Sequence, residues 1–454
     1  MKQWLGKRRL WMVVLLALAV LAVCVFLLRG RALPEPLRVF LTAEAACEEL
    51  EPLPSRAGDI RRYSLSLSRG SARAWVFPDG SVFWCESSES DFRLSIPGFS
   101  TQKGTHLSPE DSRSVFFIHG TDRTILLQPP LGREPGALDG TNYIAKNEEN
   151  GKVSYENGAL TVEFSGQCGD WWAYLTPGDV NAADELAWLS RCTVEKFGMD
   201  NRLTLDGYYY TTPQDYTPSG ENCFYRIPAA YIASKLACKS DAHHGVQMAV
   251  AMLDLQREHY HSQGWLPTCP ESGWLSRDYG IGPGFYDTRF NTDIAMAYLA
   301  LGRELGIEAF TRQAMEYAAY LVSHGENHAA STGEGILVDD YAHPAGSAPT
   351  HCSLNHQLAE ILFLLQTGDG TAETTALRML RGIEETAAQW VREDGNLHYA
   401  RFPDGSYGNE DYPYLTYNDL LALNRHLGGN AALEALMETK RTWMDANGVT
   451  GYDQ

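Results

Sequence analysis

Three short stretches of the C-terminal half concentrate side chains that can move protons. Asp339-Asp340-Tyr341 follows an apolar Ile-Leu-Val, and Tyr399 and Arg401 sit in GNLHYARF. Residues 409–423 read NEDYPYLTYNDLLAL, with Tyr412, Tyr414 and Tyr417 crowded beside Glu410 and Asp411 at the entrance to an apolar run. Adjacent acids form either a solvated turn or an acid/base pair. A tyrosine phenol, ordinarily near a pKa of about 10, works as general acid or base when a neighbouring cation lowers it. Arginine offers a planar fork of donors that matches a carboxylate. Packing explains any one of these tyrosines, since the ring can be buried while the hydroxyl stays wet. The cluster is what packing leaves over.

Other chemistries find less support. His259 and His261 stand two apart on a helical pattern and point apart, while His243 and His244 are adjacent. Neither has a metal-ligand spacing such as HExxH, so no metal or cofactor is expected, though loop carboxylates leave room for a structural calcium. The chain carries no P-loop, no GxGxxG after a strand and no GxSxG.

The elements that must position these residues come in two textures. From about 60 to 175, short alternating runs such as RYSLSLS, ARAWVF, SVFWCE, FRLSI, TILLQ and ALTVEF are separated by turn signals, which predicts a sandwich or barrel-like sheet. A short stretch before them, LTAEAACEEL, reads as helical. Near 180 the pattern switches to helical periodicity, in runs from AADELAWLSRCTVEKF to AALEALMETKRTWMDA, with aromatic, Gly-rich loops between them. No strict repeat is visible, which excludes a solenoid. Helical hairpins with long decorated loops fit an incomplete α/α toroid whose loops line a cleft at one end. The expected fold is therefore multidomain α and β: a tip and anchor over 1–33, a β-rich domain over 34–178 and a toroid over 179–454.

At 454 residues the chain has ample length for two domains and an appendage. Its net charge of −20 excludes a nucleic-acid binder, which needs a basic surface, and weighs against a highly sulfated partner. Lys2, Lys7, Arg8 and Arg9 precede an uncharged apolar run from Leu10 to Leu28, long enough to span a bilayer. The basic excess lies before the run, so the reading is a single-pass signal-anchor with the N-terminus cytoplasmic and the bulk extracytoplasmic. Of nine cysteines, eight lie beyond the anchor at irregular spacing, and no pairing follows from it.

Taken together, GILVDDY…LNHQL, then LHYARF, then DYPYLTYNDLLAL resemble the C-terminal helical domain of the D-glucuronyl C5-epimerase family over roughly 285–445. That family has an acidic pair followed by tyrosine, a Leu-Asn opening a helix, a loop tyrosine with a nearby arginine, and an Asp-Tyr leading into Asn-x-Leu. Here Asp339-Asp340-Tyr341, Leu354-Asn355, Tyr399 with Arg401, Asp411-Tyr412, and Asn418 with Leu420 match. The departures are Asp for the family's Glu pair, Pro413 for a histidine and His356 for a glycine. The resemblance implies a membrane-anchored uronosyl C5-epimerase on a glucuronate-containing polysaccharide, without cofactor; a homodimer is compatible with it. Tyr399, Tyr412, Asp340 and Arg401 are then expected to be catalytic, the two tyrosines flanking one sugar carbon. Asp339, Tyr341, Asn355, Asp411, Asn418 and Arg289 are expected to bind substrate. The alternatives are a polysaccharide lyase or glycoside hydrolase on the same toroid, and a non-catalytic glycan-binding envelope protein.

Overall fold

The computed structural model describes residues 33–41, 45–99, 104–106, 116–120, 122–133, 144–156, 158–178, 202–205, 207–211, 223–228, 243–260, 262–268 and 272–453. The expected anchor lies outside them, as do the helical patterns over 182–197 and 229–238; Ile227-Pro228, which open the second pattern, end a strand instead. Among the described residues no helix is long and apolar enough to cross a membrane.

A one-turn helix, α1 (Glu35–Arg38), precedes a 12-stranded antiparallel sheet. The strands Ala46–Leu53, Ile60–Leu67, Gly70–Val76 and Val82–Ser88 run as a meander, followed in space by Gly169–Pro177 and Arg123–Arg133. The first of these takes in the ACEEL expected to be helical. Its acids lie along the outer edge of the sheet, where charge blunts an unpaired strand, and pairing with Ile60–Leu67 overrides local propensity. The sheet also takes in Arg202–Leu203, Tyr208–Thr211 and Cys223–Pro228, beyond the expected boundary at 178.

The central strands Val82–Ser88, Arg123–Arg133 and Gly169–Pro177 are buried on both faces, so the alternation expected of them is not seen in their burial. Trp171, Ala173 and Leu175 turn to one side, against a second sheet carrying Leu94, Ile96, Leu160 and Val162. Trp172 and Tyr174 turn to the other side and share a core with the helices.

Among the described residues the helical part begins with α2 (His243–Arg257) and the short α3 (Gly273–Tyr279). Three hairpins follow: α4 (Thr288–Leu305) with α5 (Glu308–Asn327), α6 (Leu354–Thr367) with α7 (Gly370–Thr386), and α8 (Leu415–Leu427) with α9 (Ala431–Ala446). In α4, α7 and α9 an Asp or Asn side chain caps the first turn, and left-handed glycines end α4, α6 and α8. α4, α6 and α8 pack side by side as an inner layer, with α5, α7 and α9 outside them. This is the expected α/α toroid arrangement beside a β-rich region. The connections into α4, α6 and α8 all lie at the N-terminal ends of the inner helices. Short antiparallel ribbons knit them together: Tyr286–Asp287 pairs with Tyr341–Ala342, and Cys352–Ser353 with His398–Arg401.

Candidate active site

The ribbon registers decide what meets at this end. Ser353 pairs with Ala400, which brings Tyr399 beside the start of α6. The backbone N–H of Asp340 donates to the His351 carbonyl, and the N–H of Thr288 donates to the Asp340 carbonyl. The Asp340 carboxyl is thereby held between α4 and α6, fully buried. It accepts from the Ser353 backbone N–H (2.9 Å) and from the Ser353 hydroxyl. His351 Nε2 stands 3.4 Å and His356 Nδ1 3.7 Å away, the latter hydrogen-bonded to Thr288 Oγ1 at 2.8 Å. Tyr279 holds the other nitrogen of His351 at 3.0 Å.

Hydroxyls continue outward from Asp340. Tyr399 lies beside the Ser353 hydroxyl and beside Tyr412, without a well-formed hydrogen bond to either. The two rings meet edge to face with centroids 5.7 Å apart. Tyr412 is 47% exposed, so the row Tyr412–Tyr399–Ser353–Asp340 runs from solvent to a buried acid. Rings in edge contact cannot stand on opposite faces of one sugar carbon. The tyrosines therefore share a side instead of flanking a substrate. Burial raises both phenols above their usual value, outweighing the pull of Arg289 on Tyr412, and most strongly at Tyr399, where Asp340 and Tyr412 add to the effect.

Burial also shifts the acids. It raises Asp340 well above the carboxylate range, outweighing the Ser353 donors. It pushes Asp287, the cap of α4, up to about 7 despite the Phe290 N–H it accepts. Glu360, on the inner face of α6, is pushed up to about 8. Neither of its oxygens accepts a well-formed hydrogen bond, and the Thr288 hydroxyl beside it is committed to His356. Asp339 rises to about 6, again through burial, eased by the Thr350 N–H and by Cys352. The histidines move the opposite way: burial lowers His351 to about 4 and takes His356 well below its usual value. The centre thus holds several neutral or near-neutral titratable groups, the condition for acid/base work near pH 7.

The expected binding residues divide. Arg401, whose backbone pairs with Cys352, forms no ion pair among the described residues, and Asp339 feels its charge. Tyr341 walls the site, its ring against Trp274, Phe285, His351 and His356. Three others are committed to protein partners. Arg289 grips Asp419 at 2.6 and 3.2 Å and Asp293 at 3.0 Å, and donates to the Asn355 carbonyl. Asp411 is bound by the fully buried Lys440 at 2.8 Å and by Thr416. Asn418 accepts from the backbone of Asp453 in the C-terminal tail. Asn355 is buried, with its side-chain oxygen unbonded. Asp287, Ser353, His351, Glu360, Asp419 and Lys440 were not singled out from sequence. Glu360 left one readable trace, a lone acid in the apolar run LAEILFLL.

No family model matches the chain, and no curated protein matches it. Solved structures match it distantly. D-mannose isomerase has a TM-score of 0.37 and 13% identity, covering 50% of this chain and 62% of that one. The cellobiose 2-epimerase from Spirochaeta thermophila has a TM-score of 0.36 and 17% identity, covering 48% and 57%. The chain thus spans less than two thirds of either. A family 76 glycoside hydrolase from a bovine Bacteroides thetaiotaomicron strain has a TM-score of 0.37 and 11% identity, covering 71% and 75%. At these scores the likeness assigns neither a family nor an activity.

Proposed function

We propose that the chain is a carbohydrate-active enzyme that removes the C5 proton of a uronate residue in a glycan and returns a proton to the opposite face: a uronosyl C5-epimerase. One observation carries the reading, the row of hydroxyls from half-exposed Tyr412 through Tyr399 and Ser353 to the buried Asp340, with Arg401, which has no ion pair among the described residues, on the same strand as Tyr399. The C5–H bond breaks and its proton passes to the Tyr412 oxygen. The protons of the row each move one place inward, and the last arrives on the Asp340 carboxylate. Only molecules whose Asp340 is ionised can receive it; burial makes that ionised form a strong base while keeping it a minor one near neutrality. The electron pair left at C5 spreads into the sugar carboxylate, where the Arg401 fork can face it.

The same geometry favours a second reading. In the first reading the far face of C5 takes its proton from water, and the hydroxide left is neutralised by the proton returning outward from Asp340, since Tyr399 and Tyr412 stand together on one side. Elimination needs one side only: the C5 proton leaves, the C4–O bond breaks, a C4–C5 double bond forms and the departing oxygen takes a proton from the row. In both readings the enzyme is extracytoplasmic and tethered by residues 10–28, so that full-length protein resists carbonate extraction.

Incubation with glucuronate-containing polysaccharides in deuterated water tests both. Deuterium at C5 in uncut chains of altered configuration supports epimerisation, and ultraviolet-absorbing unsaturated ends support elimination. Neither product over the whole panel overturns the proton chemistry and leaves a glycan-binding protein.

A further inference from the structure

One buried ring at the centre has no part in the hydroxyl row. His351 is 2% exposed, and its ring centroid lies 5.5 Å from those of Trp274 and Tyr341, 5.7 Å from that of Tyr399 and 6.2 Å from that of Phe402. Its carbonyl accepts the Asp340 backbone N–H at 3.0 Å, which ties the ring's backbone to that of the acid. Caged and tied in this way, the imidazole is held in one orientation, and each nitrogen keeps its own neighbour. Nε2 faces the Asp340 carboxyl at 3.4 Å and, although buried, has no well-formed hydrogen bond. Nδ1 lies 3.0 Å from the phenol oxygen of Tyr279, the half-buried last residue of α3.

Burial lowers His351 to about 4, outweighing Asp278 beside it, so near neutrality the ring carries one proton and its neighbours decide which nitrogen holds it. The Tyr279 phenol, pushed up to about 12 chiefly by burial, keeps its own proton and has it to donate. The His351 backbone N–H lies beside the phenol oxygen and leaves that proton turned toward Nδ1. Nδ1 then accepts, and the ring's proton stays on Nε2, facing Asp340. The remaining groups around the acid give its charge little help. Burial, Glu360 of α6 and Asp287 at the start of α4 work against it, and Tyr399 and Cys352 stay neutral beside it. His356 has its Nδ1 committed to Thr288. Apart from the Ser353 donors, the Nε2–H of His351 is what meets the ionised acid, and a donor is worth most against a charged acceptor.

We infer that Tyr279 and His351 are a positioning pair for Asp340: the phenol donates to Nδ1, fixes the imidazole proton on Nε2 and so holds a donor ready for the ionised acid. The pair rests on the preceding reading only for the use made of Asp340 as a base. It gives the acid two arms, hydroxyls from Tyr412 on one side and a phenol with an imidazole from α3 on the other.

Nitrogen-15 NMR of the histidine rings and carbon-13 NMR of the Asp carboxyls, both on the full chain, test it, with signals assigned by their loss in His351→Gln and Asp340→Asn. His351 should carry its proton on Nε2 through the neutral range, and Tyr279→Phe should mix the two tautomers. The Asp340 midpoint should rise by about one pH unit in Tyr279→Phe and in His351→Asn, a roughly tenfold loss of ionised acid at a given pH. His351→Gln, whose amide N–H reaches about as far as Nε2, should stay close to the parent. A proton on Nδ1 in the parent, a midpoint unmoved by Tyr279→Phe, or equal shifts in His351→Gln and His351→Asn overturns the pair. On the deuterium assay the acid limb of activity should follow the Asp340 midpoint. Shifted midpoints in a protein that never incorporates deuterium leave the pair standing and remove the proton chemistry.

Discussion

At the scale of single residues, the hydroxyl row makes the sharpest demand. Tyr399→Phe and Ser353→Ala each delete one hydroxyl and leave Asp340 in place. If the row moves protons, each should lower turnover on the deuterium assay by roughly a hundredfold to ten-thousandfold. The structural cost should be small, on the order of 0.5–1.5 kcal/mol for one hydrogen bond. Activity within a few fold of the parent in both variants would refute the relay. The raised acids make a different demand. The histidines of the unfolded chain lose most of their remaining protons between about pH 6.5 and 7.5, so the lowered His324 and His351 oppose the carboxyls there and stop tilting stability above it. Folded Glu360 keeps its proton up to about 8 and Asp287 up to about 7, whereas both are ionised in the unfolded chain. The folded state then binds more protons, and stability falls as pH rises from 6.5 to 8. Melting temperature should drop over that interval, and Glu360→Gln should flatten the drop and melt higher at pH 8. An unaltered slope in Glu360→Gln would show that this carboxyl is already ionised. These residues were half legible: the tyrosines and Asp340 announced themselves by clustering. Ser353, His351 and Glu360 did not, because burial shifts their chemistry and burial is set by partners distant in sequence.

At the scale of elements, the site is held by two buried ionic clasps. Arg289 ties the first turn of α4 to α8 through Asp419 and to the backbone of α6 through Asn355. Lys440, from α9, reaches Asp411, Asn396 and the Tyr412 carbonyl, and so fixes the loop that carries Tyr412. Lys440→Met should destabilise by about 3–5 kcal/mol, since it strands a buried carboxylate, and Lys440→Met with Asp411→Leu should recover much of that. Denaturant midpoints for the single and double variants decide it, and a single variant within 1 kcal/mol of the parent would show that the pair is solvated. A tighter contact lies under the acid pair, where Gly335, just before the Ile336–Val338 strand, touches Gly382 of α7. A β-carbon on either glycine would land inside the other segment's backbone. Gly382→Ala should therefore cost about 1–3 kcal/mol by overpacking, although alanine is the better helix former. The helices themselves were plain in the sequence, because α5, α7 and α9 each keep one apolar face at helical period and α6 reads as a long apolar run. The ribbons were not: strands of two to four residues carry no period, and only their pairing defines them. Local propensity misled at Ala46–Leu53 for the same reason, since a partner strand outvoted it.

At the scale of the whole molecule, the two parts are not separable. Asp254 of α2 is buried and accepts from Arg62 and from Trp75 of the sheet, both at 2.9 Å, as well as from Arg257. Trp75, Phe83 and Trp172 enter the same core as the inner helices. Calorimetry should therefore show one cooperative transition for sheet and toroid together. Asp254→Ala, which leaves two arginines and an indole N–H facing a gap, should lower stability by about 3–5 kcal/mol. Two resolved transitions, with only one shifted by Asp254→Ala, would mean independent folding units. The shared core has a consequence for how the chain is made. The sheet leaves the ribosome first, while the helices that cover Trp75, Phe83 and Trp172 come afterwards. At 5–20 residues per second, the roughly 200 residues that follow take about 10–40 s to appear. Throughout that interval a finished sheet would present a broad aromatic face to its surroundings. The newborn chain must either delay closing its sheet or borrow a temporary cover, so its dependence on chaperones should be concentrated in the second half of its synthesis.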